Sequence, residues 1–142
     1  MKRILTSLAV LWCVVLLSAA SASTDQAAGS AGWKIPPTAK DEKNPLPVNE
    51  AMLNAGKAQF AKRCTRCHGD AGKGDGPEAD ADHAEAMDLT RADRAAQNPD
   101  GVVFYKIWHG RSEPRMPAFE DQLTKEQAWA IVVYVQTLRG KK

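Results

Sequence analysis

Cys64-Thr65-Arg66-Cys67-His68 is the stretch on which the reading of this 142-residue chain turns. The two cysteines stand three residues apart, about one turn of a helix, so on a helix both thiols emerge on the same side. His68 follows at once and adds an imidazole nitrogen beside them. A structural zinc ion would need four such ligands, commonly a second pair, and outside the N-terminal run the chain has no further cysteine. A redox dithiol wants a βαβ setting, and no strand pattern surrounds this one. A plain disulfide would use the thiols but leave His68 without a purpose. What remains is covalent haem: each thiol adds to one vinyl group of the same porphyrin, and His68 then lies beneath the iron.

Reading backwards from the motif, a helix should begin near Asn49. Asn is a good N-cap, and Glu50 suits the positive end of the helix dipole. Leu53, Gly56, Phe60 and Cys64 recur at spacings of three and four and share one face. A glycine costs a helix about 1 kcal/mol relative to alanine. Gly56 on the apolar face therefore predicts close approach by a second helix.

Reading forwards, residues 69–77 run Gly-Asp-Ala-Gly-Lys-Gly-Asp-Gly-Pro, too rich in glycine for regular structure. A phosphate-binding loop would end in Gly-Lys-Ser/Thr after a strand, and neither feature is present. Residues 78–97 are polar and acidic and fit either a helix or a loop. Asn98-Pro99-Asp100 reads as a cap with Pro in the first turn, predicting a helix from Pro99 to His109 that stops at Gly110. Residues 111–123 are irregular, with Pro114 and Pro117 flanking Met116. Thr124-Lys125-Glu126-Gln127 is a capping box. It opens a last helix whose inner face carries Ala128, Ile131, Val132, Val135 and Leu138, widened by Trp129, Val133 and Tyr134. No useful period-two stretch and no repeat exists, so the fold class is all-α.

At the N-terminus Lys2 and Arg3 precede an apolar run from Ile4 to Leu17 and an Ala20-Ser21-Ala22 cleavage pattern. That is the layout of a secretory signal peptide, 1–22, implying a periplasmic protein; an uncleaved anchor is the alternative, although the run is shorter than a typical span. Cys13 follows the bulky Trp12, unlike a lipoprotein signal, and is read as a hydrophobe of that segment. Residues 23–47 are Ser/Ala/Gly-rich, then Pro-rich, and are expected to form a flexible tether that buries little surface; Trp33 either docks or hangs free. The domain proper is 48–142. Of nineteen basic residues, removing Lys2 and Arg3 leaves seventeen against seventeen acidic ones, so no basic excess points to nucleic acid. After cleavage no membrane span is expected.

The iron's remaining axial position could be filled by Met52, Met87, Met116, His83 or His109, or left open for small gases. Met52 lies on the helix entering the motif, and Met87 in a polar stretch. His83 sits among acids, and His109 beside Trp108. Met116 is favoured, because prolines on both sides stiffen its loop and help aim the thioether at a fixed point.

These residues together resemble a bacterial class I cytochrome c over about residues 48–139. The resemblance rests on Gly56 and Phe60 ahead of Cys64-x-x-Cys67-His68, the Gly-x-Gly-Asp-Gly-Pro loop, Arg115-Met116-Pro117-Ala118-Phe119, and the helix with Trp129 and Tyr134. It implies a small fold in which first and last helices cross, Gly56 and Phe60 meeting Trp129, Ile131 or Tyr134, with one haem c in a loop-lined cleft. It also implies iron ligated by His68 and Met116, with the other His68 N–H donated to a carbonyl near the Gly-rich loop, as at Pro77.

Such a chain would be an electron carrier rather than an enzyme, passing single electrons between redox protein partners as a monomer or as a subunit of a redox complex. Two alternatives stand beside this: a subunit docked on a periplasmic dehydrogenase or oxidase, with Trp33 and the tether as docking arm, and a five-coordinate haem sensor if Met116 does not ligate. Lys57, Lys62, Arg63, Arg66, Arg111 and Arg115 suggest a basic rim. Asp70, Asp75, Glu78, Asp80, Asp82, Glu85 and Asp88 form an acidic run. The rim would steer acidic partners; an ordinary mixed-charge surface is the alternative.

Overall fold

The computed structural model describes residues 32–140. The expected signal peptide, with Cys13, and most of the first half of the tether lie outside the described residues. Within the described residues five α-helices follow one another: α1 (Glu50–Arg63), α2 (Thr65–His68), α3 (Ala84–Met87), α4 (Asp100–His109) and α5 (Lys125–Leu138). Among the described residues no strand forms; two isolated bridges join Lys73 to Asp88 and Arg111 to Met116. The fold is all-α, as the periodicity requires.

The two long helices α1 and α5 start where a side chain satisfies otherwise orphaned N–H groups. The Asn49 side chain accepts from the Met52 N–H ahead of α1. At α5 both halves of the capping box are made: Thr124 Oγ1 accepts from the Gln127 N–H, and Gln127 Oε1 accepts from the Thr124 N–H. At α4 Pro99 takes the N-cap position in extended conformation without a side-chain cap, so that helix begins at Asp100, one residue later than the sequence suggests.

α1 and α5 cross at Gly56. A Cβ there would strike the Ala130 carbonyl of α5 and crowd Tyr134 Cβ, so only glycine allows this approach. One turn on, Phe60 meets Tyr134 with ring centroids 5.2 Å apart. Tyr134 is thus the aromatic partner at the crossing. Trp129 turns the other way and stacks on Phe104 of α4 at 4.4 Å. Phe104 stacks in turn on Trp108 at 5.5 Å. α5 is the central element: Ala128, Trp129, Ala130, Ile131, Val132, Val135 and Leu138 are all buried. Burying the larger of these, Ile131, Val132, Val135 and Leu138, gives about 1.5–3 kcal/mol each, which helps hold three helices of modest length together.

Residues 78–97 resolve into short pieces: a 3-10 turn at Ala81–His83, α3, and another 3-10 turn at Ala92–Arg94. With few apolar residues, this stretch has no face on which a longer helix could be buried.

The described part of the expected tether behaves differently from its composition. Pro37–Lys40 forms a 3-10 turn against α4, and Ala39 is buried. Leu46 packs on the core. Small and ring-constrained residues bury little individually, but they lose little entropy on ordering, so a few specific contacts suffice to fix the segment.

Candidate functional site

The Cys64–His68 motif sits where α1 ends. Cys64 is the C-cap of α1 and the N-cap of α2, and α2 carries Cys67 and His68. All four carbonyls of α2 would be orphans in so short a helix. The Gly-rich loop folds back to satisfy each of them: Gly69 N–H donates to Thr65 O, Glu78 N–H to Arg66 O, Gly76 N–H to Cys67 O and Gly74 N–H to His68 O. The loop must come very close to do so. A side chain at Gly76 would collide with the Thr65 and Arg66 carbonyls. The glycines that argued against regular structure thus clamp the motif. An ion pair from Arg66 to Glu78 closes the outer side of the loop; exposed as it is, such a pair adds little stability.

Cys64 and Cys67 are free thiols, each partly buried. Burial pushes the Cys64 thiol up to about 12, against the pull of nearby Arg63 and with a push from Cys67, so it remains protonated at neutral pH. His68 Nδ1 donates to the Met87 carbonyl at 2.7 Å. A carbonyl can only accept, so the proton sits on Nδ1 and the Nε2 lone pair is left available. Burial holds the His68 pKa below its ordinary value; the Met87 bond opposes this, and the Arg111 charge adds to it. The imidazole is therefore neutral at pH 7, the state in which it can bind a metal.

The partner of His68 differs from the expected Pro77: the carbonyl comes from Met87, at the end of α3. That carbonyl is itself fixed, because Asp88 N–H donates to Ala84 O and Asp88 Oδ1 accepts from both the N–H and Oγ1 of Thr90. No sequence signal names this residue, since any side chain could carry the acceptor.

Met116 lies in the loop after α4. Its backbone pairs with Arg111 through two hydrogen bonds of 2.9 Å. Arg111 in turn lies close enough to lower the pKa of His68. The loop is tied to α4 through Phe119 N–H, shared by the carbonyls of Ile107 and Trp108. Met116 is half-buried and packs at the margin of the core, as do Cys64, Leu89 and Trp108.

Of the other candidates, Met52 packs against the core. The Met87 backbone serves His68. His83 is bonded to Asp80 Oδ2 at 2.8 Å, and His109 is exposed beside the Tyr105 ring and Glu120. Among the described residues no group of three or more His, Cys, Asp or Glu could hold a metal ion by itself. Among the described residues no helix is long and apolar enough to cross a membrane.

The family model for cytochrome c matches residues 53–139. No curated protein sequence matches the chain. Among solved structures, a chain of the Kuenenia stuttgartiensis reducing HAO-like protein complex Kustc0457/Kustc0458 is similar at 28% identity and a TM-score of 0.57, covering 68% of this chain. This chain spans about half of that one, 47% of its length. The KustC0563 c-type cytochrome is similar at 28% identity with a TM-score of 0.49, over 59% of this chain and 96% of its own.

Proposed function

Because the chain belongs to the cytochrome c family, whose members carry covalently attached haem c, we propose that it transfers single electrons in the periplasm through a haem held by Cys64, Cys67, His68 and Met116. When bound, the haem supplies a one-electron ferrous/ferric couple. The chain's own residues do the rest. Cys64 and Cys67, three residues apart in the chain, would form the thioether links. His68 offers Nε2 while the Met87 carbonyl holds its proton and its ring orientation. Met116 offers its thioether from a loop stiffened by Pro117 and by the backbone pair with Arg111. A thioether ligand raises the potential. With His68 and Met116 both holding the iron, the site would be suited to transferring electrons rather than to binding substrate. The basic n-region, apolar run and Ala20-Ser21-Ala22 pattern support export.

The observation that carries this reading is the His68–Met87 contact, since it fixes the ligating tautomer beside two free thiols. The test is the visible spectrum of reduced holoprotein before and after carbon monoxide at neutral pH. The native protein should not change, and Met116→Ala should form an adduct. An adduct with the native protein would instead favour a sensor.

A second reading, a subunit of a larger redox assembly, is favoured by the likeness to a chain of the Kuenenia reducing HAO-like complex. Purification of the native protein at its own molecular mass, without companions, would argue against it. Trp33 as a docking arm is disfavoured, since the ring lies against this chain's own Lys106 and Arg111.

A further inference from the structure

We infer that the segment 32–46 is a strap that holds the Met116 loop in place, with Trp33 as its positioning residue. The inference that this matters for the iron rests on Met116 ligation; the inference that the strap fixes the loop does not.

Four contacts fasten the strap to the loop and to α4. The Trp33 ring lies under the Arg111 guanidinium, 4.6 Å from centroid to Cζ, and Lys106 Nζ of α4 lies 5.3 Å from the same centroid. Gly32 comes against the Glu113 carbonyl, between Arg111 and Met116 in sequence. Tyr105 of α4 donates its hydroxyl proton to the Lys34 carbonyl at 3.1 Å. Further along, Ala39 is buried, and the carbonyls of Ala39 and Glu42 abut Gly101 in the first turn of α4. The strap is thus anchored on one helix and ends on the residue whose backbone pairs with Met116.

The physical logic lies in how Arg111 is used. Its two backbone hydrogen bonds fix Met116, so any freedom of Arg111 becomes freedom of the thioether. A loop with several exposed residues, fastened in part by a two-residue bridge, opens locally at lower cost than a core helix. An aromatic ring against the guanidinium adds a cation–π attraction that is lost only when the loop moves. The sequence matched by the cytochrome c family starts at residue 53, so the strap lies outside it.

The test is amide hydrogen exchange of the holoprotein, read at Arg111 and Met116, with Val132 and Val135 of α5 as internal reference. In Trp33→Ala the two loop amides should exchange about tenfold faster, with the α5 amides unchanged. Trp33→Phe, which keeps a ring under the cation, should stay within about threefold of the native rates. If Trp33→Ala does not give folded holoprotein, Tyr105→Phe removes only the hydroxyl bond to the strap and should speed the same amides by about threefold. Unchanged loop amides, or loop and α5 amides speeding together, would overturn the strap.

The second readout is carbon monoxide affinity of the reduced protein. The fraction of time the loop is open sets the apparent affinity, so Trp33→Ala should bind carbon monoxide tighter by the same factor as its exchange rate rises. Met116→Ala separates the two ideas. Faster loop exchange in Trp33→Ala, together with no gain in carbon monoxide binding in either variant, would keep the strap and reject Met116 as ligand.

Discussion

The Nδ1–H of His68 and the carbonyl oxygen of Met87 are 2.7 Å apart, and that bond ties the motif helix to the far end of α3. Because the acceptor is backbone, the side chain at 87 is free to change while the turn that aims the carbonyl is not. Asp88 holds that turn through Thr90. With His68 as the proposed iron ligand, a weaker bond to Met87 would make the imidazole less basic and disfavour the ferric state.

Reduction potentials should therefore separate three variants. Met87→Leu should match the native protein. Asp88→Asn retains an acceptor but loses the charge, and should rise slightly. Asp88→Ala loses both and should rise further, on the order of 30 mV, half of a tenfold change for a one-electron couple. Equal potentials for the Asn and Ala variants would show that the turn does not matter to the ligand.

Gly56→Ala should destabilise the holoprotein by about 1–3 kcal/mol, since the new Cβ must push against the Ala130 carbonyl rather than a yielding side chain. Urea unfolding followed by far-UV circular dichroism measures this, and the slope with denaturant should not change. Ala55→Gly, on the exposed face of α1, provides the comparison for helix propensity alone; it should cost about 1 kcal/mol.

Thr124→Ala should cost about 1 kcal/mol by removing the side-chain oxygen that accepts from Gln127 N–H. Thr124→Ser should restore most of it. Equal midpoints for the Ala and Ser variants would mean that packing alone sets the start of α5.

Lys106 gives the protein a distinctive pH dependence. Burial, with the charges of Arg111, Arg139 and Arg94 around it, lowers its pKa from 10.5 to about 8. The unfolded chain then binds more protons than the folded one between about pH 8 and 10.5. Lys106 thus adds stability as pH rises through that window. Against Lys106→Gln, the native protein should gain on the order of 2 kcal/mol from pH 7 to pH 10.5. A constant difference in thermal midpoint across that range would refute the lowered pKa.

Much of the fold was legible because its signals are local. The caps at Asn49 and Thr124, the spacing of Leu53, Gly56, Phe60 and Cys64, and the buried face of α5 each act within one or two turns. Gly56 even announced a partner helix, although not that the Ala130 backbone would fill the space. The Gly-rich loop was legible as a loop but not as the clamp on the four carbonyls of α2. The 78–97 stretch offered no periodic pattern, and its short helices are set by where Asp88, Leu89 and Thr90 dock. Composition misjudged residues 33–46, because a segment poor in apolar residues can still be fixed by a single ring, one hydroxyl bond and one buried alanine.

The sequence by itself determined the chemistry of the motif, since two thiols one turn apart followed by an imidazole are a matter of spacing along a single helix. It also determined the helical class and the ends of the main helices. Only the tertiary structure decided which carbonyl orients His68, which ring meets Phe60, and that Trp33 lies under Arg111 beside Met116. The His68–Met87 bond joins residues 19 apart, and the Tyr105–Lys34 bond joins residues 71 apart. Such pairings depend on how whole elements pack, and a backbone carbonyl or a strap of mixed composition leaves no pattern in the local spacing of residues.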